Sequence, residues 1–505
     1  MTDDKGIGIK AWLTGPGRKT EKVEAVPKRL ARMDKHRIAV LPMANISPDP
    51  QDEYFAEGMT DELISTISRI HGLRVVARTS SMRYKGSGKG VSEISQELRT
   101  GSVLEGTVRK AGNRLRVTAQ LVDPESEENL WSETYDRELG DIFIIQSDIA
   151  RNVAEGLKVQ LHASLGTRFL NEPTKNTEAY SIYLKGRYFW NRGTTDALKK
   201  ALVQFELAVK KDPNFALGYS GLADTYLLLG RSGSDLPKLV YPKAIEFAVK
   251  AIALDGSIAE PHATLAAARQ EYEWKWEEAE REFKRAIELN PSYAWARSGY
   301  GLFLGHVGRF DEAIQATSRA QELDPFSPRI HTNASEEYLF AHRYDMAIEA
   351  ADRAIEVDPS FPLGYSFRGY AEVEKGMYEQ AIGDFQEANK LVGFLVYLGR
   401  IGYTLAISGR TSEASRILDQ LKTDSPQRPT EDPDYRFFRM AFVHIGLGNN
   451  HLALDLLEKA CDAHPPSMTH LKSEPIFARI HGEPRYTALL KKVGLDSDRH
   501  RPERS

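Results

Sequence analysis

The chain has 505 residues, of which 41% are hydrophobic and 27% charged, so it has the composition of a soluble globular protein with about two to four domains. Its formal net charge of -4 is small for this length, which excludes binding of nucleic acid or membranes through overall charge. The single cysteine, Cys461, permits no intramolecular disulfide, and no secretory signal is present. We therefore expect a cytoplasmic protein.

Residues 1–37 are basic, with ten Lys/Arg against five Asp/Glu. Glycine and proline are scattered through them without periodicity, which predicts a flexible tail. The run from Lys28 to Arg37 could contact phosphates or acidic lipid, but a solvated lead-in is the simpler interpretation. No stretch is apolar enough for a membrane span, and no nucleic-acid partner is expected.

Residues 38–165 combine strand and helix patterns. Short apolar or alternating runs predict strands at 37–42, 73–77, 103–108, 114–122 and 129–135. Apolar residues at spacings of three and four predict helices at 54–70, 91–98 and 141–165. The order β-α-β-α-β-β-β-α predicts an α/β domain with a mixed sheet whose helices cover one face.

Four stretches of this domain carry a family resemblance: IAVLPMANISPDPQDEYFAEGMTDELISTISRIHGLRVVARTS, SMRYKGSGKGVSEISQEL, VLEGTVRKAGNRLRVTAQLVD and LWSETYDRELGDIFIIQSDIA. They resemble the TolB-N-terminal-like (FlgO-like) domain of bacterial TPR proteins. In that family the domain usually follows a class III adenylate cyclase, a CadC-type winged-helix or a Ser/Thr kinase domain. Only 37 residues precede it here, so the resemblance implies a member without that output domain.

Site-like patterns in this domain are weak. The loop Lys85–Gly90 departs from a phosphate-binding loop at two template positions, and the acidic group around Asp49–Glu57 lacks the glycine and the final glutamate of a calcium loop. Six arginines among the strands could bind an anion, namely Arg74, Arg78, Arg83, Arg109, Arg114 and Arg116. Since residues 38–160 hold 14 basic against 19 acidic residues, we expect these arginines to pair with neighbouring acids.

The remainder of the chain is repetitive. The pattern A-x3-F-x2-A-x4-P recurs, and its first alanines Ala279, Ala313, Ala347 and Ala381 are 34 residues apart. This period is typical of tetratricopeptide (TPR) repeats, in which each unit is a pair of antiparallel helices, A and B. Small residues allow the helices to approach closely, large ones such as Phe205 fill the gaps, and proline ends helix B.

Weaker copies bring the count to about eight units, so the predicted fold is an α/β domain followed by an all-α superhelical solenoid. A linker is expected at 166–177, the TPR array at 178–469, and a C-terminal cap and tail at 470–505. Cys461, His464 and His470 offer metal-ligand types without a second ligand pair, so no metal site is predicted. No catalytic motif or cofactor-binding pattern occurs.

The TPR resemblance implies a partner-binding groove on the concave face, lined mainly by helix A. Counting repeat positions from the alanines places ten residues in this groove: Glu271, Tyr272, Trp295, Leu302, His306, Arg329, Glu336, Phe340, Tyr370 and Glu374. Their mixture of aromatic, apolar and charged side chains suits an extended segment or a helix of a protein partner. Small polar residues, such as Ser298, replace the clamp that chaperone-binding TPR proteins use for a terminal carboxylate.

Three functional hypotheses remain open. The first is a non-enzymatic regulatory or scaffold protein of bacterial signal transduction that binds a protein partner through the TPR groove. The second is a sensor whose α/β domain binds a small anionic ligand, and its only support is the group of arginines. The third, from the family resemblance alone, is an accessory or degenerate member of an adenylate cyclase-associated system.

Overall fold

The computed structural model describes residues 33–159, 173–232, 235–392, 396–423, 435–462 and 464–496. Asp34–Ser505 form one compact unit, in which a sheet with its own helices precedes a long array of helix pairs. The first strand begins at Asp34, inside the segment predicted as tail. Most of that tail and most of the predicted linker lie outside the described residues.

The sheet is mixed, as predicted. It consists of β1 (Asp34–Val40), β2 (Ala44–Asn45), β3 (Arg74–Val75), β4 (Thr100–Ala111), β5 (Arg114–Asp123) and β6 (Glu128–Glu138). The order is β3-β1-β4-β5-β6, with β2 pairing with β4. Strands β1, β2, β3 and β4 pair in parallel, whereas β5 and β6 pair antiparallel.

Helices cover both faces of the parallel part of this sheet, so the expectation that they cover one face was wrong. The helices are α1 (Glu53–Ser68), α2 (Arg78–Met82), α3 (Val91–Leu98) and α4 (Ile142–Gly156). Ile38 and Val40 of β1 pack in one core with α1 and α4, while Ala39 and Leu41 pack on the other side against α3. The continuous apolar run of β1 reflects burial on two sides. Helix α4 ends at Gly156, earlier than predicted.

The helical array consists of eight antiparallel pairs within the described ranges. The pairs are Thr177–Trp190 (α5) with Thr195–Lys211 (α6), Ala216–Arg231 (α7) with Pro237–Leu254 (α8), Ala259–Ala268 (α9) with Trp276–Leu289 (α10), Ala294–Val307 (α11) with Phe310–Leu323 (α12), Pro328–Phe340 (α13) with Tyr344–Val357 (α14), Pro362–Glu374 (α15) with Tyr378–Val392 (α16), Leu398–Ile407 (α17) with Thr411–Thr423 (α18), and Tyr435–Gly446 (α19) with Asn450–Asp462 (α20). None of the helices in these ranges is both long and apolar enough to cross a membrane.

Close packing within the pairs follows the predicted division between small and large residues. Ala279, Ala313 and the other repeat alanines are fully buried. Phe205 fills the space beside two glycines, because a Cβ atom on Gly186 or Gly221 would come within 2.5–2.6 Å of its ring. The aromatic side chain and the glycines are therefore complementary, and neither can change alone without strain.

The C-terminal segment folds back against the middle of the array. It forms two short 3-10 turns (Pro466–His470 and Pro475–Ile480) and α21 (Pro484–Lys492). Trp276 donates a hydrogen bond from Nε1 to the Val493 carbonyl at 2.7 Å, and Ser473 donates one from Oγ to the Gly305 carbonyl at 2.7 Å. The segment therefore joins the last helix pair to the third and fourth pairs.

The sheet domain is held by the loops between successive helix pairs. Asp324, at the end of α12, accepts hydrogen bonds at Oδ1 from the Ser80 hydroxyl (2.6 Å) and the Ser80 amide (3.1 Å). The Ala77 amide donates to the Leu323 carbonyl at 2.8 Å. One repeat earlier, Ser292 accepts from the Val75 amide at 3.3 Å. Residues at the ends of array helices thus also hold the α/β domain against the array through hydrogen bonds.

Candidate functional site: a central chamber

A cavity of about 1240 Å³ lies at the centre of the molecule. Three parts of the chain form its wall, and we call it the chamber. The α/β domain contributes α1 and the start of α2, the array contributes its inner A helices, and the C-terminal segment contributes the turn Pro465–His470. Residues of α1 and of this turn therefore share one cavity with the A helices of the array.

Seven of the ten residues predicted for the groove line the chamber. They are Glu271, Trp295, Leu302, His306, Arg329, Glu336 and Tyr370. Tyr272, Phe340 and Glu374 are not part of its wall. Phe340 is buried with Leu339 and Ala347, whereas Tyr272 stacks on Tyr241 at a ring distance of 5.4 Å. Tyr272 lies in the π-helical turn Arg269–Glu273, which shifts it from the position that a regular repeat predicts.

Arg329 presents a positive charge to the chamber. Its side chain is exposed to solvent there, and within the described part of the chain no carboxylate lies within ion-pair distance of its guanidinium. The ring of Phe361 lies beneath it, 5.2 Å away. Although part of the side chain reaches solvent, the surrounding chamber wall desolvates the guanidinium and, with the nearby Arg231, lowers the pKa of Arg329 to about 10, so it remains charged near neutral pH.

Two other arginines of the chamber wall are neutralised. Arg231 forms an ion pair with Glu271, which also accepts a hydrogen bond from the Tyr241 hydroxyl at 2.8 Å. Arg400 forms an ion pair with Glu474 and lies 4.0 Å from the Phe442 ring centroid. Since these two charges already have partners, Arg329 is the guanidinium best placed to attract an anionic group.

A buried polar network lies where α1 meets the array. The Arg187 guanidinium lies 3.6 Å from Asp61 and 3.9 Å from Asp224, and the Tyr183 hydroxyl donates to Glu62 at 3.2 Å. Burial raises the pKa of Glu62 to about 7, although Arg187 opposes this shift, and burial raises the pKa of Asp224 to about 6. This end of the chamber is acidic and internally paired, so it does not favour an anion.

A second cluster on the chamber wall consists of His306, Glu336 and His470. Glu336 Oε1 lies 3.5 Å from His306 Nε2 and 3.3 Å from His470 Nε2. The potential ligand atoms all lie within 4.8 Å of one another. The sequence prediction had grouped His470 with Cys461 and His464 instead. His464 stacks on Trp274 and bonds to the Tyr272 carbonyl, and Cys461 is buried in α20.

The weak patterns of the α/β domain form ordinary ion pairs. Lys85 binds Glu53 and Glu57 at 2.5 and 2.6 Å, which accounts for both the candidate phosphate loop and part of the acidic group. The predicted pairing of arginines with acids is confirmed for four of the six, as Arg74 pairs with Asp34, Arg78 with Asp61, and Arg114 and Arg116 with Asp136. Arg83 instead lies over the Phe326 ring of the array.

Comparison with known proteins identifies the repeats. A tetratricopeptide-repeat family model matches residues 266–328 and 332–391. "Putative adenylate cyclase 3" of Rhizobium meliloti is 36% identical over 237 residues, which are 46% of this chain and 40% of that protein. The transcriptional regulator HilA of Salmonella typhimurium is 25% identical over 333 residues, 64% of this chain and 58% of that protein.

Among solved structures, the thermophilic TPR protein TTC0263 of Thermus thermophilus is 26% identical and has a TM-score of 0.31, with 36% of this chain and 92% of that chain covered. The chain spans 40% and 58% of the two curated relatives. The family model shows that the array contains TPR repeats, a fold that is typical of scaffolds for protein–protein interaction.

Proposed function

We propose that this protein is a non-enzymatic scaffold of bacterial signal transduction that binds a short acidic segment of a protein partner in the chamber. The observation that carries the proposal is the Arg329 guanidinium, which faces the chamber without a carboxylate partner among the described residues. A guanidinium in such surroundings binds a carboxylate more strongly than one on an open surface does. A partner segment with Asp or Glu at this point satisfies the charge.

The surroundings of Arg329 favour a peptide. Trp295, Leu302 and Tyr370 line the same chamber and are partly buried. Its volume of about 1240 Å³ exceeds the roughly 300–1,000 Å³ of pockets for small ligands. Aromatic side chains beside an arginine are typical of the residues that dominate the binding energy of protein interfaces.

The regulatory part of the proposal draws on the relatives. One is named as an adenylate cyclase and the other as a transcriptional regulator, and each matches only part of its own length. A sensor that binds anions through the sheet arginines has less support, since four of the six are already ion-paired.

Site-specific photocrosslinking in the native host tests the partner site. A photoreactive phenylalanine analogue replaces Leu302 in the chamber or, as the control, Met346, which is exposed on α14. We expect a protein adduct from position 302 that is absent from position 346 and is lost when Arg329→Gln is added. Equal adducts from both positions, or an adduct unaffected by Arg329→Gln, contradict the proposal.

Two measurements on purified protein complete the test. A peptide from the crosslinked segment should bind wild type, and replacing its acidic residues by amides should weaken binding as much as Arg329→Gln does. Arg343→Gln is the matched control, because Arg343 pairs with Asp311 on the exposed surface. The absence of enzymatic activity is checked by incubation with Mg-ATP, where formation of cyclic AMP contradicts the non-enzymatic assignment.

A further inference from the structure

His306, Glu336 and His470 come from three separate parts of the fold and meet at one point of the chamber wall. His306 lies near the end of α11, Glu336 lies in α13, and His470 ends the first turn of the C-terminal segment. His306 and Glu336 are only 4% and 5% exposed. His306 Nε2 and Glu336 Oε1 have no hydrogen-bond partner although both atoms are buried. Unsatisfied buried polar atoms are costly, so two that face each other indicate a missing group between them.

We propose that these three side chains bind one divalent transition-metal ion, with zinc as the best fit, through His306 Nε2, Glu336 Oε1 and His470 Nε2. The proposal goes beyond the binding of a protein partner and does not depend on it. Two histidines and one glutamate are a ligand set that zinc uses in proteins. All three residues line the chamber, so a fourth coordination position opens toward it.

The distances fit a tetrahedral ion. Two ligand atoms that each lie about 2.0–2.1 Å from a tetrahedral zinc are about 3.3 Å apart. Glu336 Oε1 lies 3.3 Å from His470 Nε2 and 3.5 Å from His306 Nε2, so both edges at the carboxylate are nearly preformed. The third edge, between the two imidazoles, lies within 4.8 Å, so the histidine nitrogens must approach each other by up to about 1.5 Å.

Groups behind the histidines can orient them for a metal. Glu474 Oε2 lies 3.8 Å from His470 Nδ1 and has no hydrogen-bond partner, so it can accept a hydrogen bond from the Nδ1–H group as the ring turns. Gln270 Nε2 lies 2.6 Å from His306 Nδ1, and metal binding at Nε2 requires the amide of Gln270 to be turned over so that its oxygen faces Nδ1. With the amide oxygen toward Nδ1, the ring donates there and leaves Nε2 free to bind the ion. Such outer partners are usual for metal-bound histidines.

The alternative is an ion pair between a protonated His470 and Glu336. Burial disfavours the charge on His470, but Glu336 and Glu474 raise its pKa overall. This arrangement satisfies His470 without any metal, yet it leaves His306 Nε2 unpaired. The two interpretations differ in whether His306 and His470 act together on an added ion.

Metal binding by tag-free full-length protein decides between them. After removal of metal with a chelator, we expect one equivalent of Co2+ to bind with the visible absorption of a tetrahedral site, and Zn2+ to displace it. His306→Gln and His470→Gln should each weaken binding at least 100-fold. His331→Gln is the matched control, since His331 is also buried in α13 but bonds to the Pro325 carbonyl, and it should leave the affinity unchanged.

Melting temperatures distinguish loss of a metal ligand from misfolding of a variant. Zinc should raise the melting temperature of wild type and of His331→Gln but not of His470→Gln, because only an ion bound to the native state stabilises it. The conservative Glu336→Gln, with circular dichroism as the check of folding, should also lose the shift. Absence of a bound equivalent in wild type, or equal affinity in both histidine variants and wild type, overturns the site. Neither outcome affects the partner proposal.

Discussion

The contact between Asp324 and Ser80 is a buried, pH-sensitive joint between the array and the α/β domain. Asp324 Oδ1 accepts from the Ser80 hydroxyl and amide, and the Ser80 hydroxyl in turn accepts from the Phe326 amide at 2.9 Å. Asp324 is 5% exposed. Burial raises its pKa to about 6, although the hydrogen bonds from Ser80 oppose the shift. At neutral pH Asp324 is ionised, and the cost of burying this charge weakens the contact that its hydrogen bonds with Ser80 form.

The sign and size of the effect follow from linkage. A folded-state pKa above the unfolded value contributes stability that is complete below pH 3.8 and is lost as the pH rises through about 6. The rise from 3.8 to about 6 corresponds to about 3 kcal/mol, of which about 2 kcal/mol falls between pH 4.5 and 7.5. Asn in place of Asp324 keeps an acceptor for Ser80 and cannot ionise. Relative to wild type, Asp324→Asn should therefore gain about 2 kcal/mol across this range.

Hydrogen exchange of the segment 75–84, followed by mass spectrometry and corrected for intrinsic rates, measures opening of this joint. The ratio of wild-type to variant opening constants should grow about 30-fold from pH 4.5 to 7.5. Asp358→Asn is the control, because Asp358 occupies the same repeat position but bonds to Ser360 in its own turn. It should leave exchange in 75–84 unchanged. A constant ratio for Asp324→Asn across the pH range refutes the reasoning.

Three further predictions concern the array. Burial raises the pKa of Glu337 well above its usual range, so its contribution to stability is lost as the pH rises, and Glu337→Gln should become more stable than wild type in urea unfolding at alkaline pH. Trp276→Phe removes the hydrogen bond to the C-terminal segment, which should cost about 1 kcal/mol of stability and speed hydrogen exchange in α21. Trp274→Phe is the control: Nε1 of Trp274 has no hydrogen-bond partner, so this change should not speed exchange there. Gly369→Ala should lower the melting temperature, because its Cβ would meet Phe385 at 2.8 Å, whereas Gly383→Ala, with open space, should not.

The helix pairs could be predicted because the residues that determine the packing of each pair lie within one repeat. The alanine, phenylalanine and proline positions determine how two helices of one unit pack, and these contacts are short in sequence. Strand β5 was predictable for the same reason, since its residues alternate with a period of two, whereas β6 is exposed along nearly its whole length and buries only Tyr135. Coverage of the second sheet face was missed although α3 itself was predicted, because the periodicity of a helix does not indicate which face of a sheet the helix covers.

The chamber could not be predicted, since its closure depends on contacts between distant parts of the chain. Asp324 and Ser80 are 244 residues apart, and nothing in an aspartate before a proline distinguishes a docking contact from an ordinary helix end. The metal-ligand cluster was missed likewise. His306 and Glu336 were assigned to the groove from their repeat positions, whereas His470 belongs to the cap, and no spacing rule connects it with them.

Three parts of the chain form the chamber wall, so binding of a segment in the chamber is coupled to contact between those three parts. The proposed acidic segment at Arg329 would lie between the α/β domain, which contacts the array through Asp324, and the C-terminal turn, which contacts it through His470. If it contacts all three, it binds the closed arrangement better than any open one, so it stabilises closure by its own binding free energy. A metal at His470 acts in the same direction, because it joins the turn to α11 and α13. Linkage then requires that metal and partner strengthen each other's binding by the same factor. Under both proposals, occupancy of the chamber would therefore change the position of the α/β domain and of the C-terminal segment.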